Sequence, residues 1–179
     1  MDNGFPLHLW LMRALYFGLC FLVILVHLLP LEITVSRVPA PDFMACLTLA
    51  WVLRRPEFVP LVLIAAVFLL ADFFFLRPPG LYAALAVLGA EILRSRGEAF
   101  YEMPFSFEWV LVAVILTGMA VGNQVLHAVT LLEAPSLGLS LIQLILTIVA
   151  YPLVVVLSRS IFGVRRRHPG EIDVLGRRA

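Results

Sequence analysis

Asp72 stands one turn before the end of an apolar run, directly ahead of Phe73-Phe74-Phe75. A carboxylate at membrane depth is costly and needs a reason. It could contact a partner, a ligand or the following helix; equally, Arg77, a loop amide or interfacial water could satisfy it as a structural acid. Glu91 precedes Arg94 by three residues, the spacing of an ion pair along one helix face. Glu32 and Asp42 flank Arg37, close enough in sequence for pairing or snorkelling at a surface loop. The densest polar set is Thr117, Asn123, Gln124, His127 and Thr130. Asn123 and His127 share a helix face at i,i+4, and His127 and Thr130 do so at i,i+3. These groups could line a small-ligand pocket, with Asn123, Gln124 and His127 as its candidates. They could also hydrogen-bond between helices, at about 0.6–2 kcal/mol each. Gly118 and Gly122 give a GxxxG spacing in the same stretch, which permits close helix approach.

Several chemistries are excluded by what accompanies these residues. His27 and His127 are too few for a histidine metal site, and no HExxH motif surrounds either. No Walker loop or GxSxG elbow occurs. Asp72 is the only deep-lying aspartate, which excludes an intramembrane aspartyl protease. A lipid phosphotransferase would need several carboxylates to hold Mg²⁺. A proton or ion carrier would want acids or amides near mid-bilayer on several helices. Cys20 and Cys46 lie in apolar runs with no metal or redox spacing, so they read as small buried hydrophobes. The residues point to a non-enzymatic protein without cofactor or metal.

The elements that must position these residues are membrane helices. The chain has 179 residues, 62% of them hydrophobic, and a mean hydropathy of +1.01. That leaves too little polar surface for a soluble globule. The expected fold is all-α, a compact bundle of six transmembrane helices over about 14–34, 42–53, 58–76, 81–93, 108–132 and 137–162. A basic tail, 163–179, follows. The apolar stretch from Ala14 to Val35 exceeds a typical signal-peptide core, so it is expected to stay as the first span. The second stretch is short, about 18 Å at helical rise, and could be re-entrant. The Arg54-Arg55-Pro56-Glu57 turn argues that it crosses, because a double arginine belongs on the cytoplasmic side. Pro78, Pro79 and Gly80 mark a tight turn between the third and fourth spans, and Pro152 predicts a kink in the sixth.

Charge fixes the orientation. The chain has no lysine, and of its thirteen cationic residues eleven fall on one side of this topology. Arg13, Arg54, Arg55, Arg94, Arg96, Arg159, Arg165, Arg166, Arg167, Arg177 and Arg178 stand against Arg37 and Arg77. Short cytoplasmic loops retain Lys and Arg, so both termini are expected in the cytoplasm. Arg54, Arg55, Arg94, Arg96 and the Arg165–Arg167 cluster would form a basic rim beside anionic lipid headgroups. Membrane lipids are the partners this distribution implies, and no nucleic acid is expected.

The stretch from Asp42 to Arg96 resembles the rod shape-determining protein MreD family, in its alphaproteobacterial form. The resemblance is carried by Asp42-Phe43-Met44, Trp51-Val52-Leu53-Arg54-Arg55-Pro56-Glu57, Leu69-Leu70-Ala71-Asp72-Phe73-Phe74 and Pro78-Pro79-Gly80-Leu81. It covers roughly a third of the chain. One departure is Ala71, where the family often has Gly-Leu ahead of the aspartate. The resemblance implies a non-enzymatic scaffold of the cell-wall elongation complex in the bacterial inner membrane. Its implied partners are MreC, a single-span protein, the MreB cytoskeleton, and RodA with its transpeptidase partner. The family is similar in fold to the six-helix substrate-binding subunits of energy-coupling-factor vitamin transporters, which makes such a transporter subunit the alternative. Asp42, Asp72, Pro79 and Gly80 are the positions the resemblance carries forward, with Gly118 and Gly122 as the packing candidates read from the residues themselves.

Overall fold

The computed structural model describes residues 4–29, 39–96, 104–130 and 136–162. They form six helices: α1 (Gly4–Leu28), α2 (Phe43–Arg54), α3 (Leu61–Phe74), α4 (Leu81–Arg96), α5 (Phe105–Thr130) and α6 (Leu137–Phe162). A 3-10 turn, Pro56–Phe58, joins α2 to α3, and no strand occurs among the described residues. Apolar segments of α1, α5 and α6 are long enough to cross a membrane: Leu7–Leu28, Phe105–Thr130 and Leu137–Ile161. Their outward faces carry apolar stripes at helical spacing, such as Val110, Val114, Val121 and Val125 on α5. On α6 the stripe is Leu141, Ile145, Val149 and Leu153. Stripes of this extent suit hydrocarbon rather than water, consistent with a membrane protein.

The hub is α2. Every residue from Met44 to Arg54 is buried, and α1, α4 and α6 pack around it. Its 12 residues rise about 18 Å, short of a hydrocarbon core of about 30 Å. Neighbouring helices bury it along nearly that whole length. Side chains set its register. Asp42 N donates to Thr147 Oγ1 at 2.9 Å and Trp51 Nε1 to Ser158 Oγ at 3.2 Å, so α2 and α6 run parallel. Tyr16 on α1 meets Thr48 at 2.8 Å, and Gln143 on α6 donates to Ala40 O at 3.2 Å.

Helix α1 begins at Gly4, ten residues before the expected start. Arg13 therefore lies inside the helix rather than at its head. It fits because its guanidinium reaches the Glu57 carbonyl and stacks over the Trp10 ring, 5.4 Å from the centroid. The helix stops at Leu28, before Pro30, which lies outside the described residues together with Glu32 and Arg37.

Pro152 is carried inside α6 by a device the sequence does not announce. Proline has no N–H, so the carbonyl four residues earlier loses its intrahelical donor. That carbonyl belongs to Ile148, and Trp109 Nε1 on α5 donates to it at 2.9 Å. Neighbouring helices commonly re-satisfy such groups where water is absent. Trp109→Phe is expected to destabilise the fold by about 1–3 kcal/mol by leaving that acceptor unmet. In a Pro152→Ala background the loss should largely vanish, because alanine restores the missing backbone N–H; unfolding in detergent would measure both.

The α3–α4 corner ends in a Schellman arrangement. Arg77 N donates to Asp72 O at 3.0 Å and Leu76 N to Phe73 O at 3.3 Å. The residue in the left-handed position is Leu76, φ 52°, where glycine is usual. A leucine there carries a strain of about 1 kcal/mol, and at 94% exposure its side chain has little packing to lose. Leu76→Gly should raise stability by about that amount in the same unfolding assay.

Glycines fit α4 to α5, though not as a GxxxG pair. A Cβ on Gly122 would stand 2.8 Å from Leu85, and one on Gly89 would stand 3.0 Å from Ile115. Gly118 faces outward, with nothing within 4 Å of where its Cβ would lie. Only Gly122 of that pair packs within the bundle.

Candidate functional site

Two polar clusters lie at opposite ends of α2. The first gathers Asp42, Asp72 and Gly80, three of the positions the family resemblance carries forward. Asp42 is the N-cap of α2: its Oδ1 accepts from Ala45 N at 2.8 Å, offsetting an N–H that the helix start would leave unpaired. Its Oδ2 accepts from Tyr82 OH on α4 at 2.5 Å. Asp72 is fully buried and serves the start of α4 from eight residues away. Its Oδ2 accepts from Gly80 N at 3.0 Å and Ala83 N at 3.3 Å.

The reason is local. Gly80 takes φ 90° to leave the proline turn, a conformation glycine allows freely, but it has no side chain to cap the helix it starts. Asp72 supplies that cap. Asp72 Oδ1 is buried with no hydrogen-bond partner. Arg77, expected as a possible partner of Asp72, instead lies over the rings of Phe75 and Tyr82, 5.2 Å from each centroid. Pro79 is exposed in the turn between them.

The second cluster joins α2, α5 and α6. Arg54 forms a two-pronged pair with Glu108, Nη1 to Oε1 at 2.7 Å and Nη2 to Oε2 at 3.0 Å. Tyr151 OH adds a bond to Glu108 Oε1 at 2.5 Å. The two charged side chains are 7% and 2% exposed. Arg54 is thus an interior residue and not part of an exposed rim. The guanidinium–carboxylate match is planar and bidentate, the geometry arginine favours.

The other expected rim residues divide. Arg55 pairs with Glu57 at 3.5 Å. Arg94 donates to Val59 O at 2.6 Å and Pro56 O at 3.2 Å, so it clasps the 3-10 turn. No ion pair joins it to Glu91, whose side chain is exposed on another part of α4. Arg96 is exposed, and Arg165, Arg166 and Arg167 lie outside the described residues.

The polar set of α5 is engaged in helix bonding. Gln124 Nε2 donates to Ser140 Oγ on α6 at 2.8 Å. His127 Nδ1 meets the Asn123 carbonyl at 2.8 Å, and Thr117 and Thr130 each donate to a carbonyl one turn earlier at 2.7 Å. Asn123 is half-buried and His127 buried. Cys20 and Cys46 are both free and buried; Cys46 Sγ donates to Thr147 O at 3.3 Å.

No family model, curated protein or solved structure matches this chain. The reading of function therefore rests on the residues themselves.

Sequence reasoning misses the Arg54–Glu108–Tyr151 cluster and the Trp109–Ile148 bond. In sequence, Glu108 marks only the start of the fifth span, and nothing local ties Trp109 to α6. A signal is available for the first. An acid in the opening turn of a long apolar helix needs a cation, and an arginine closing a short, mostly apolar helix needs an acid. For Trp109, the signal is a proline inside a span, which obliges some donor elsewhere to reach the carbonyl four residues before it.

Proposed function

We propose that this chain is a non-enzymatic inner-membrane scaffold of the MreD type, crossing the bilayer six times with both termini in the cytoplasm. In this reading it couples an MreC-like single-span protein and the MreB cytoskeleton to RodA and its transpeptidase partner during wall elongation. One observation carries it. The acids that could have done chemistry at membrane depth serve as joints of the bundle: Asp42 and Asp72 cap helices, and Glu108 binds Arg54 and Tyr151. Long apolar faces on α1, α5 and α6 remain for lipid and partner spans. Three of the positions behind the resemblance also serve the start of α4: Asp72 accepts from Gly80 N, and Asp42 accepts from Tyr82 OH. The arginine asymmetry supports cytoplasmic termini.

The transporter alternative would need Asn123, Gln124 and His127 around a ligand. Gln124 instead joins α5 to α6 through Ser140, and the His127 ring is held by a carbonyl of its own helix.

With Asp72 buried, the direct probe of a contact face is Gly118, where a larger side chain meets nothing in the chain itself. Gly118→Leu is expected to reduce recovery of partners while leaving membrane insertion and thermal stability unchanged. Mild detergent extraction of the tagged protein, with mass spectrometry of co-purifying proteins and small molecules, tests this. Recovery of a periplasmic single-span protein with wall-synthesis enzymes supports the scaffold. Recovery of ATPase and coupling subunits with a vitamin-like ligand would replace it.

A further inference from the structure

The 3-10 turn at Pro56–Phe58 gathers more positive charge than the described residues neutralise. Arg13 reaches it from α1, donating through Nε and Nη2 to Glu57 O at 3.4 and 3.3 Å. Arg94 reaches it from α4, using Nη2 for Pro56 O and Val59 O. Arg55 adjoins it, and Glu57 is its single carboxylate. Among the described residues neither Arg13 nor Arg94 has a carboxylate within ion-pair distance. Both guanidiniums are held in place by carbonyls, which orient them without cancelling their charge. Arg94 Nε is buried without a hydrogen-bond partner. Arginines arranged this way are suited to phosphate, which accepts several N–H donors at once.

The surroundings argue for an amphiphilic ligand. Trp10, beside Arg13, is 65% exposed, and Val62, in the first turn of α3 and three residues past Val59, is 81% exposed. Large apolar groups next to a pair of arginines would meet acyl chains while the arginines meet a headgroup. We propose that Arg13 and Arg94, clamped over the Pro56–Val59 turn, bind the phosphate of an anionic phospholipid, with Trp10 and Val62 against its chains. This rests on the membrane reading above and deepens it. The basic rim becomes a defined lipid site, not a diffuse field.

The test is native mass spectrometry of the full chain, purified in a neutral detergent and offered equal phosphatidylglycerol and phosphatidylcholine. The wild type should retain phosphatidylglycerol preferentially. Arg13→Gln with Arg94→Gln should weaken that retention about thirtyfold. Should the double variant fold poorly, Arg13→Lys with Arg94→Lys keeps the charge without the forked donor geometry and should bind at an intermediate level. Arg96→Gln with Arg159→Gln removes two exposed arginines outside the cluster and should change little. Equal retention of both lipids by the wild type would overturn the proposal. So would preference surviving in the Gln pair, or equal loss in the Arg96/Arg159 variant. Complete displacement of the lipid by millimolar inorganic phosphate would also overturn it, by assigning the site to a free anion. No partner protein enters the assay, so a failed scaffold reading and a failed lipid site are separate results.

Discussion

Glu108→Ala and Arg54→Ala are each expected to destabilise the protein by about 3–5 kcal/mol, because each leaves one buried charge without its counter-ion. The carboxylate takes both prongs of Arg54, at 2.7 and 3.0 Å, and the Tyr151 phenol at 2.5 Å. Losing it strands a guanidinium at the closed end of α2, where little solvent reaches. Joint replacement with apolar residues of similar volume, Arg54→Met with Glu108→Leu, should recover most of the loss. Buried pairs exchanged whole for hydrophobes are often neutral or better. A double-mutant cycle from equilibrium unfolding in mixed micelles measures this. Additive losses, with the pair of substitutions as damaging as the two singles summed, would show that the two charges do not act as a unit. If the restored variant also keeps its partners, the pair serves architecture alone.

Asp72 gives the second large effect. Asp72→Ala removes the acceptor for Gly80 N and Ala83 N at the head of α4, at an expected cost of roughly 2–4 kcal/mol for two unmet donors in a dry corner. Asp72→Asn should stay within about 1 kcal/mol of the wild type, since one oxygen is enough to accept both bonds. The amide would occupy the position of Oδ1, which has no hydrogen-bond partner. Hydrogen exchange over Gly80–Ala83 should quicken in the Ala variant and hold in the Asn variant. Equal exchange in both would mean that the negative charge, and not the acceptor, holds this corner.

Helix positions are legible because they follow from hydropathy and punctuation. Asp42 opening α2, the proline–glycine turn before α4 and the double arginine after α2 are all local signals, and local signals survive folding. The expected start of α1 at residue 14 is too late because Arg13 reads as a boundary. In the fold its guanidinium is held by a carbonyl 44 positions along the chain. The same limit explains the rim. A count of arginines locates a side of the topology but not a depth, and whether Arg54 faces solvent or Glu108 depends on how α2 sits among α4, α5 and α6. Gly118 and Gly122 look equivalent in sequence. They differ because α4 lies against only one of them.

The proposed scaffold requires six crossings, and α2, α3 and α4 decide the count, since only three of the described helices have the length and apolarity to span unaided. Cysteine labelling decides it most directly. In a background with Cys20→Ala and Cys46→Ala, single cysteines would be placed at Leu76, Ser95, Ser136 and Ser160, all exposed. A membrane-impermeant maleimide applied to spheroplasts should modify Leu76→Cys and Ser136→Cys at once. Ser95→Cys and Ser160→Cys should react only after permeabilisation. Labelling of Leu76→Cys and Ser95→Cys from the same side would mean that α4 does not cross, and the six-span scaffold would fall.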